Sequence, residues 1–345
     1  MGPTPVVVYD RISEVLSRGV SHTCLFTVAC HLINGTFLCP GLILEPMRLR
    51  IDLSYDGSGY HGWARQPGLR TVQGELEHAL ATILRLADER EVRVTVAGRT
   101  DTGVHALGQV CHVDISPEIL DSCIGHMQTN GVEALERRLK HVLPDDIVIR
   151  SISRAPDGFD ARFSALERTY VYRICDAGRP VDPRMRGFVT AIPDRLDLGL
   201  MNDAARMAVG LHDFGSFATP NPGGTTIREV KRAHWDRIPD APLVSEDSNP
   251  AGYRVSVLES GLVCFTIVAD AFAHNMVRSL VNACVQVGRG RKSLDWFAHK
   301  MAEPVREGST GPIDARGLTL EHVSYPPDDE LAARAEAIRA KRTLE

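Results

Sequence analysis

From residue 47 onward, apolar residues recur either at every second position, which predicts strands, or at helical spacing, which predicts helices. Apolar residues occur at every second position over 49–55, 92–96 and 111–115, the pattern of half-buried strands, and residues 146–153 predict a further strand. Apolar residues at helical spacing over 72–86 and 132–142 predict two amphipathic helices. Segment 98–106 lies between two predicted strands, so we expect a loop held at both ends.

The second half of the chain repeats these patterns. Strands are predicted over 169–175, 232–237, 253–258 and 262–268, and helices over 201–209, 274–287 and 294–301. Proline and glycine in 220–224 and 239–250 predict loops. The pattern indicates an α+β protein with two halves of similar makeup, residues 47–155 and 156–327, joined near 155–163. Residues 328–345 predict a charged helical tail without a strong apolar stripe, which we expect to fray.

The first 46 residues contain an apolar run over 24–44. His31, Asn34, Gly35 and Pro40 interrupt this run, and no small-residue cleavage site follows it. A membrane span needs about 20 consecutive apolar residues, so neither a span nor a signal peptide is expected. We interpret residues 1–46 as a non-native extension upstream of a true start at Met47.

Composition limits the class of protein and of site. Hydrophobic residues are 43% and charged residues 24% of the chain, as in ordinary globular proteins, and the net charge is −5. A nucleic-acid partner would therefore bind in a local basic cleft and not over the whole surface. The eight cysteines include no C-x-x-C pair, so we predict reduced thiols in a cytoplasmic protein and no metal site.

Segment 98–103 places a carboxylate, Asp101, between Gly98 and Gly103, directly after an apolar strand. Glycines allow the backbone to turn and to approach a ligand closely. Aspartate and glycine are also common in hairpin turns, and the spacing alone favours such a turn. Arg99 and His105 would then be a solvated residue and a structural histidine.

The helix predicted from His274 carries one narrow polar stripe on an otherwise apolar surface. The stripe consists of Asn275, Arg278, Asn282 and Gln286. Arg278 lies either at a narrow solvent window or in an internal cleft, where a buried guanidinium requires an anion. Asp101 is a chemically suitable partner.

A third cluster extends from Phe159 to Tyr172. Tyr170 and Tyr172 alternate on a predicted strand and share a face. Tyrosines in such pairs usually pack in a core or an interface, and the functional alternative is that one ring stacks on an unstacked base.

The chain resembles the tRNA pseudouridine synthase A family, and the resemblance covers residues 47–325. Three ordered motifs carry it: Gly98-Arg99-Thr100-Asp101 with Gly103-Val104-His105-Ala106, Arg168-x-Tyr170-x-Tyr172, and Phe272-x-His274-x-Met276-Val277-Arg278. Tyr55-Asp56-Gly57, Gly62-Trp63, residues 71–77, residues 213–217 and Gly317-Leu318 support them. Their combined order makes the resemblance specific, since each motif alone is weak.

The resemblance implies roles for particular residues. The catalytic aspartate falls on Asp101, the active-site tyrosine on Tyr170, the arginine that pairs with the aspartate on Arg278, and an arginine that assists base flipping on Arg99. Departures from the family pattern are Ala64 after Gly-Trp, where family members usually carry Gln, and Asn275 and Ser279, which replace the commoner His and Asn.

The resemblance also implies the substrate and the assembly. The substrate would be uridine at positions 38, 39 and 40 of tRNA, with no cofactor, no metal and no membrane partner. Two α+β subdomains would surround a mainly antiparallel sheet with the active cleft between them, in a homodimer. Candidates for phosphate contacts are Arg65, Arg70, Arg99, Arg162 and Arg168.

The sequence allows two roles for Asp101 and two alternative classes of protein. Asp101 acts either as the nucleophile or by taking a ribose proton, and in both cases it must be ionised. The alternative classes are a non-catalytic RNA-binding or tRNA-chaperone protein, and a carboxylate-dependent glycosidase. The first would lack Asp101, Tyr170 or Arg278, and the second generally needs a second carboxylate facing Asp101.

Overall fold

The computed structural model describes residues 45–220, 224–242 and 257–338. The residues that the structure describes all belong to one compact unit. The predictions for residues 1–44, for 339–345, for positions 221–223 of the first loop, and for the second loop and strand over 243–256 lie outside the described residues. Within the described ranges, no helix is long and apolar enough to cross a membrane.

The described residues contain ten strands. They are β1 (Met47–Tyr55), β2 (Thr95–Val96), β3 (His105–Ile115), β4 (Ile147–Arg154), β5 (Glu167–Cys175), β6 (Thr190–Ala191), β7 (Gly210–Asp213), β8 (Ile227–Arg237), β9 (Val263–Ala269) and β10 (Leu318–Ser324).

Seven α-helices are also described. They are α1 (Val72–Leu84), α2 (Pro117–Ser122), α3 (Gly131–Val142), α4 (Leu198–Met207), α5 (Met276–Gly288), α6 (Leu294–Ala302) and α7 (Leu331–Ile338). Short 3-10 turns occur at Gly57–Gly59, Glu89–Glu91, Pro183–Met185, Gly215–Phe217, Gly308–Thr310, Ala315–Gly317 and Asp328–Glu330.

All ten strands form one sheet. Its order is β4-β1-β3-β10-β5-β9-β8-β7, with β2 added to β3 and β6 added to β5. The pairings are antiparallel except β3 with β10 and β5 with β6. The expected mixed fold with a mostly antiparallel sheet is therefore confirmed. Strands from before residue 155 form one side of the sheet, and β10 joins them to strands from the second half.

Alternation along β1 explains how the sheet buries one face. Leu49, Ile51 and Leu53 are fully buried, while the residues between them are partly exposed. Helix α3 packs against β4 and helix α4 against β8, so apolar helix faces cover the apolar sheet face.

Local backbone geometry moves several predicted boundaries. Helix α1 ends at Leu84 because Arg85 is left-handed, with φ 55°. Helix α5 begins at Met276 because Asn275 is left-handed, with φ 63°. The strand expected over 92–96 is reduced to Thr95–Val96, since the N–H of Val94 donates to the buried Glu77 carboxylate at 3.1 Å.

The described part of the charged tail packs on the core. Leu331 is 2% and Ala335 6% exposed on α7, and the Ser164 hydroxyl donates to the Leu331 carbonyl at 3.1 Å. The segment was expected to fray because it has no strong apolar stripe, whereas Leu331 and Ala335 of α7 are buried. Two small buried contacts suffice to dock a short helix that shows no long apolar stripe.

Candidate active site

Asp101 lies in the turn between β2 and β3, and hydrogen bonds to residues 60–63 fix this turn. The N–H of Trp63 donates to the Thr100 carbonyl at 3.0 Å, and the N–H of Gly103 donates to the Tyr60 carbonyl at 3.2 Å. The two flanking strands also pair, with Val96 opposite Cys111. The expected loop held between two strands is therefore present.

Two glycines allow the close approach of these segments. Gly62 has φ 86°, and a Cβ there would lie 2.8 Å from the Thr100 carbonyl oxygen. Gly103 has φ 77°, and a Cβ would lie 3.1 Å from the Cβ of Ala315. Side chains at either position would displace the turn that carries Asp101.

The Asp101 carboxylate is partly buried beside His274 and Arg278. Its side chain is 25% exposed, and Oδ1 lies 3.5 Å from Nε2 of His274. Burial raises the pKa of the Asp101 carboxyl above its ordinary value of 3.8, while His274, Arg278 and the backbone N–H of Asn275 lower it in part. These three groups favour the ionised carboxylate against the effect of desolvation.

Tyr170 lies on β5 and faces the same pocket. Its ring is 6% exposed and meets Phe272 edge-on, with ring centroids 5.2 Å apart. Leu320 on β10 pairs with both Tyr170 and Ala106, which brings β5 next to the end of the Asp101 segment. Burial raises the pKa of the Tyr170 phenol above its ordinary value of 10.0, so the phenol is protonated at neutral pH.

Arg278 on α5 binds the chain segment around Ile313 and not the Asp101 carboxylate. Its Nε donates to the Ile313 carbonyl at 2.7 Å, and its Nη1 donates to Oδ1 of Asn275 at 3.3 Å. No Arg278–Asp101 ion pair within 4.0 Å occurs among the described residues, so the expected bidentate pair is not formed here. The guanidinium acts on Asp101 through its charge.

The three residues nevertheless line one pocket. Its lining residues are Thr100, Asp101, Val104, Tyr170, Phe272, Ala273, Asn275, Met276, Val277, Arg278 and Leu318. The cavity has a volume of about 30 Å³, which is room for a water molecule or two.

Comparison with known proteins identifies the family. A family model described as tRNA pseudouridine synthase matches residues 53–164 and 204–326. The chain belongs to the tRNA pseudouridine synthase family. Proteins named tRNA pseudouridine synthase A are similar to it: one from Bifidobacterium longum (strain DJO10A) is 66% identical over 86% of this chain and 99% of its own length. One from Frankia casuarinae is 46% identical over 86% of this chain and 96% of its own length.

This membership makes the chain an isomerase that acts on tRNA. The polar stripe of α5 binds a neighbouring segment of the chain. Arg278 donates to residue 313, the Asn282 amide donates to the Gly311 carbonyl at 2.8 Å, and the Gln286 amide donates to Asn282 at 3.0 Å. Arg278 and Asn282 therefore tie segment 311–313 to α5.

Arg168 is not placed to contact RNA, and that expectation is corrected. It is 7% exposed. Its guanidinium donates to the carbonyls of Asp270 and Ala97, both at 2.6 Å, and to that of Arg162 at 2.8 Å. Arg168 therefore ties the strand that precedes the Asp101 turn to the loop that precedes α5.

The other candidate arginines are at the surface and differ in their partners. Arg99 is exposed, with no hydrogen bond or ion pair to any described residue, and Arg162 is exposed over the Phe163 ring at 5.1 Å. Arg65 pairs with Glu89 at 2.6 Å, and Arg70 pairs with Asp146 at 2.8 Å. Phosphate contacts by Arg65 and Arg70 would compete with these carboxylates.

Two structural residues follow the sequence interpretation, and one site residue was missed. His105 is buried and accepts from the N–H of Gly57 at 3.0 Å, as expected of a structural histidine. Tyr172 is fully buried and its hydroxyl donates to the Asp314 carbonyl at 2.8 Å. His274 stands in a family motif, yet only the structure places its ring beside Asp101.

Proposed function

We propose that this synthase converts uridine to pseudouridine at positions 38, 39 and 40 in the anticodon stem-loop of tRNA. The observation that carries the proposal is that Asp101, Tyr170 and Arg278 line one pocket although they are distant in sequence. Family membership supplies the reaction, and the pocket supplies an acid, a ring and a guanidinium for it.

The reaction breaks the bond from C1′ to N1, rotates the uracil while it stays bound, joins C1′ to C5 and removes the C5 proton, while N1 gains a proton so that the product is an isomer of uridine. Asp101 acts either by attack on the sugar or by removal of a ribose proton, and both routes need the carboxylate form. His274 and Arg278 favour that form by their charge. No redox cofactor enters either route, because the reaction is an isomerisation.

Tyr170 and Arg278 hold the uracil and orient the acid. We assign the Tyr170 ring to stacking under the detached base. Because its phenol is protonated at neutral pH, Tyr170 relays the C5 proton only by donating its own proton as it accepts another. Arg278 is held by Ile313 and Asn275, and we assign it to stabilising the Asp101 carboxylate through its charge.

Recognition of the stem-loop requires extrusion of the target uridine, which costs on the order of a few kcal/mol for unstacking. Arg99 and Arg162 are the leading candidates for phosphate contacts that offset this cost, because both are exposed without a carboxylate partner among the described residues. Arg65 and Arg70 contribute after release from their carboxylate partners.

We further propose two subdomains, residues 47–155 and 156–327, with the pocket in a cleft between them, in a cytoplasmic homodimer. The sheet order supports this division, because β3 and β10 meet at the boundary next to the Asp101 turn. A glycosidase is disfavoured, since Asp101 is the single carboxylate among the described pocket residues.

The test uses unmodified tRNA with uridine at one position only. Substrates carry it at position 38, 39 or 40, or at a control position outside the anticodon stem-loop, and pseudouridine is mapped after incubation with wild type and with Asp101→Ala. We expect product at all three positions, none at the control position and none with the variant. No product with wild type, or equal product with the variant, would overturn the proposal.

A further inference from the structure

Asn275 lies where the Asp101 turn, helix α5 and the segment around Thr219 meet. It precedes α5 in the left-handed conformation, with φ 63° and ψ 2°. Residues with a Cβ rarely adopt this conformation, and asparagine tolerates it better than most. Its neighbours in the chain include His274 and Arg278, both of which lower the pKa of Asp101.

The side chain of Asn275 connects Arg278 to the Thr219 segment. Its Oδ1 accepts from Nη1 of Arg278 at 3.3 Å, and its Nδ2 donates to Oγ1 of Thr219 at 2.9 Å. Two further bonds fix Thr219: its N–H donates to the His274 carbonyl at 2.9 Å, and Nη1 of Arg306 donates to Oγ1 at 2.7 Å. The amide that orients Arg278 is therefore itself anchored.

The backbone N–H of Asn275 acts on Asp101. Asn275 lines the pocket together with Asp101, and its N–H is one of the groups that lower the pKa of the Asp101 carboxyl against the effect of burial. Rotation about φ sets the direction of this N–H relative to α5, so a residue that leaves the left-handed region turns the N–H away from Asp101. Side chain and backbone of one residue thus reach both Arg278 and Asp101.

We propose that Asn275 is a positioning residue of the synthase, whose side chain fixes the Arg278 guanidinium and whose left-handed backbone directs an N–H at Asp101. This inference rests on the proposed function of the same pocket. The two contributions are separable, because glycine adopts the left-handed conformation without strain and alanine does not.

The test compares two variants with a control. Asn275→Gly removes the amide and keeps the backbone conformation, and Asn275→Ala removes the amide and disfavours it. The control is Asn202→Ala, which removes a half-buried amide bonded to the N–H and carbonyl of Trp235, both at 2.9 Å, away from the pocket. The kcat, KM and pH dependence of kcat are measured on unmodified tRNA.

We expect Asn275→Gly to lower kcat about tenfold to a hundredfold, with KM nearly unchanged. The acid limb of its kcat profile moves less than that of Asn275→Ala, because glycine keeps the backbone conformation that directs the N–H at Asp101. For Asn275→Ala the acid limb moves to higher pH, since loss of the N–H raises the pKa of the carboxyl. A kcat of Asn275→Gly within about twofold of wild type, or an equal loss in Asn202→Ala, would overturn the inference.

A second variant covers the case in which Asn275→Gly does not fold. Thr219→Val removes the hydroxyl that anchors the amide, and we expect kcat to fall in the same direction. If both fold, their combined loss must be smaller than the product of the single losses, because both act through one contact chain. Multiplicative losses, or an unaffected Thr219→Val, contradict the inference. An inactive wild type overturns the proposed function as well, whereas an active wild type with unaffected variants overturns only the role of Asn275.

Discussion

Replacement of Arg168 by methionine separates its structural role from a role in RNA binding. The variant removes three hydrogen bonds of 2.6 to 2.8 Å to main-chain carbonyls from a side chain that is 7% exposed. Each hydrogen bond to a charged group contributes about 1.5 to 3 kcal/mol. Removal of a buried charge recovers part of its desolvation cost, so we expect a net loss of about 3 to 5 kcal/mol in the free energy of unfolding.

Two measurements distinguish the roles. Urea denaturation gives the change in stability, and tRNA affinity over a range of salt concentrations counts phosphate contacts. Each lost contact reduces the slope of log affinity against log salt by about 0.7 to 0.9. We expect Arg168→Met to be destabilised with an unchanged slope, and Arg99→Met to keep wild-type stability with a reduced slope.

The opposite pattern for Arg168→Met would refute this account. A reduced slope with wild-type stability would mean that the guanidinium reaches phosphate in the complex and that its carbonyl contacts matter little. Because Arg168 joins Ala97 to Asp270, we also expect the folded variant to lose kcat more than affinity.

Three further predictions concern Asp101 and the C-terminal helix. The acid limb of the pH profile of kcat should lie above pH 3.8, since burial raises the pKa of the Asp101 carboxyl. Arg278→Met should move this limb to higher pH, because the variant removes a positive charge near the carboxylate. A limb that steady-state kinetics finds unmoved in Arg278→Met would contradict this effect of the Arg278 charge. A carboxyl with a raised native pKa loses stability as pH rises through that pKa, so Asp101→Asn should unfold at higher urea than wild type at pH 7; a lower midpoint would contradict this. Leu331→Ala should cost about 2 to 5 kcal/mol of stability; a thermal midpoint equal to wild type would mean that α7 is not docked.

Periodicity predicted the elements of the fold better than their ends. Alternation located β1 and helical spacing located α5, because burial of one face imposes those periods. The ends depend on single residues, such as the left-handed Arg85 and Asn275, whose conformations have no counterpart in an apolar pattern. The short β2 depends on Glu77, a buried carboxylate that takes the N–H of Val94 from the sheet.

Sequence motifs predicted which residues would lie together in one pocket, and they did not predict the contacts of those residues. Asp101, Tyr170 and Arg278 stand in motifs, and the structure places all three in one pocket. The direct partner of Arg278 is a carbonyl at residue 313, in a segment with no motif of its own. The contacts of Arg168 were not predictable either, because nothing in the sequence around a charged strand residue indicates that three main-chain carbonyls surround its guanidinium.

We propose that the isomerisation requires the negative charge of the Asp101 carboxylate and that tRNA binding does not require this charge. Asp101→Asn preserves the shape of the side chain and removes the charge. Single-turnover conversion of uridine in unmodified tRNA should then be abolished, while tRNA affinity stays within about threefold of wild type. Conversion by Asp101→Asn at a rate close to that of wild type would contradict the account.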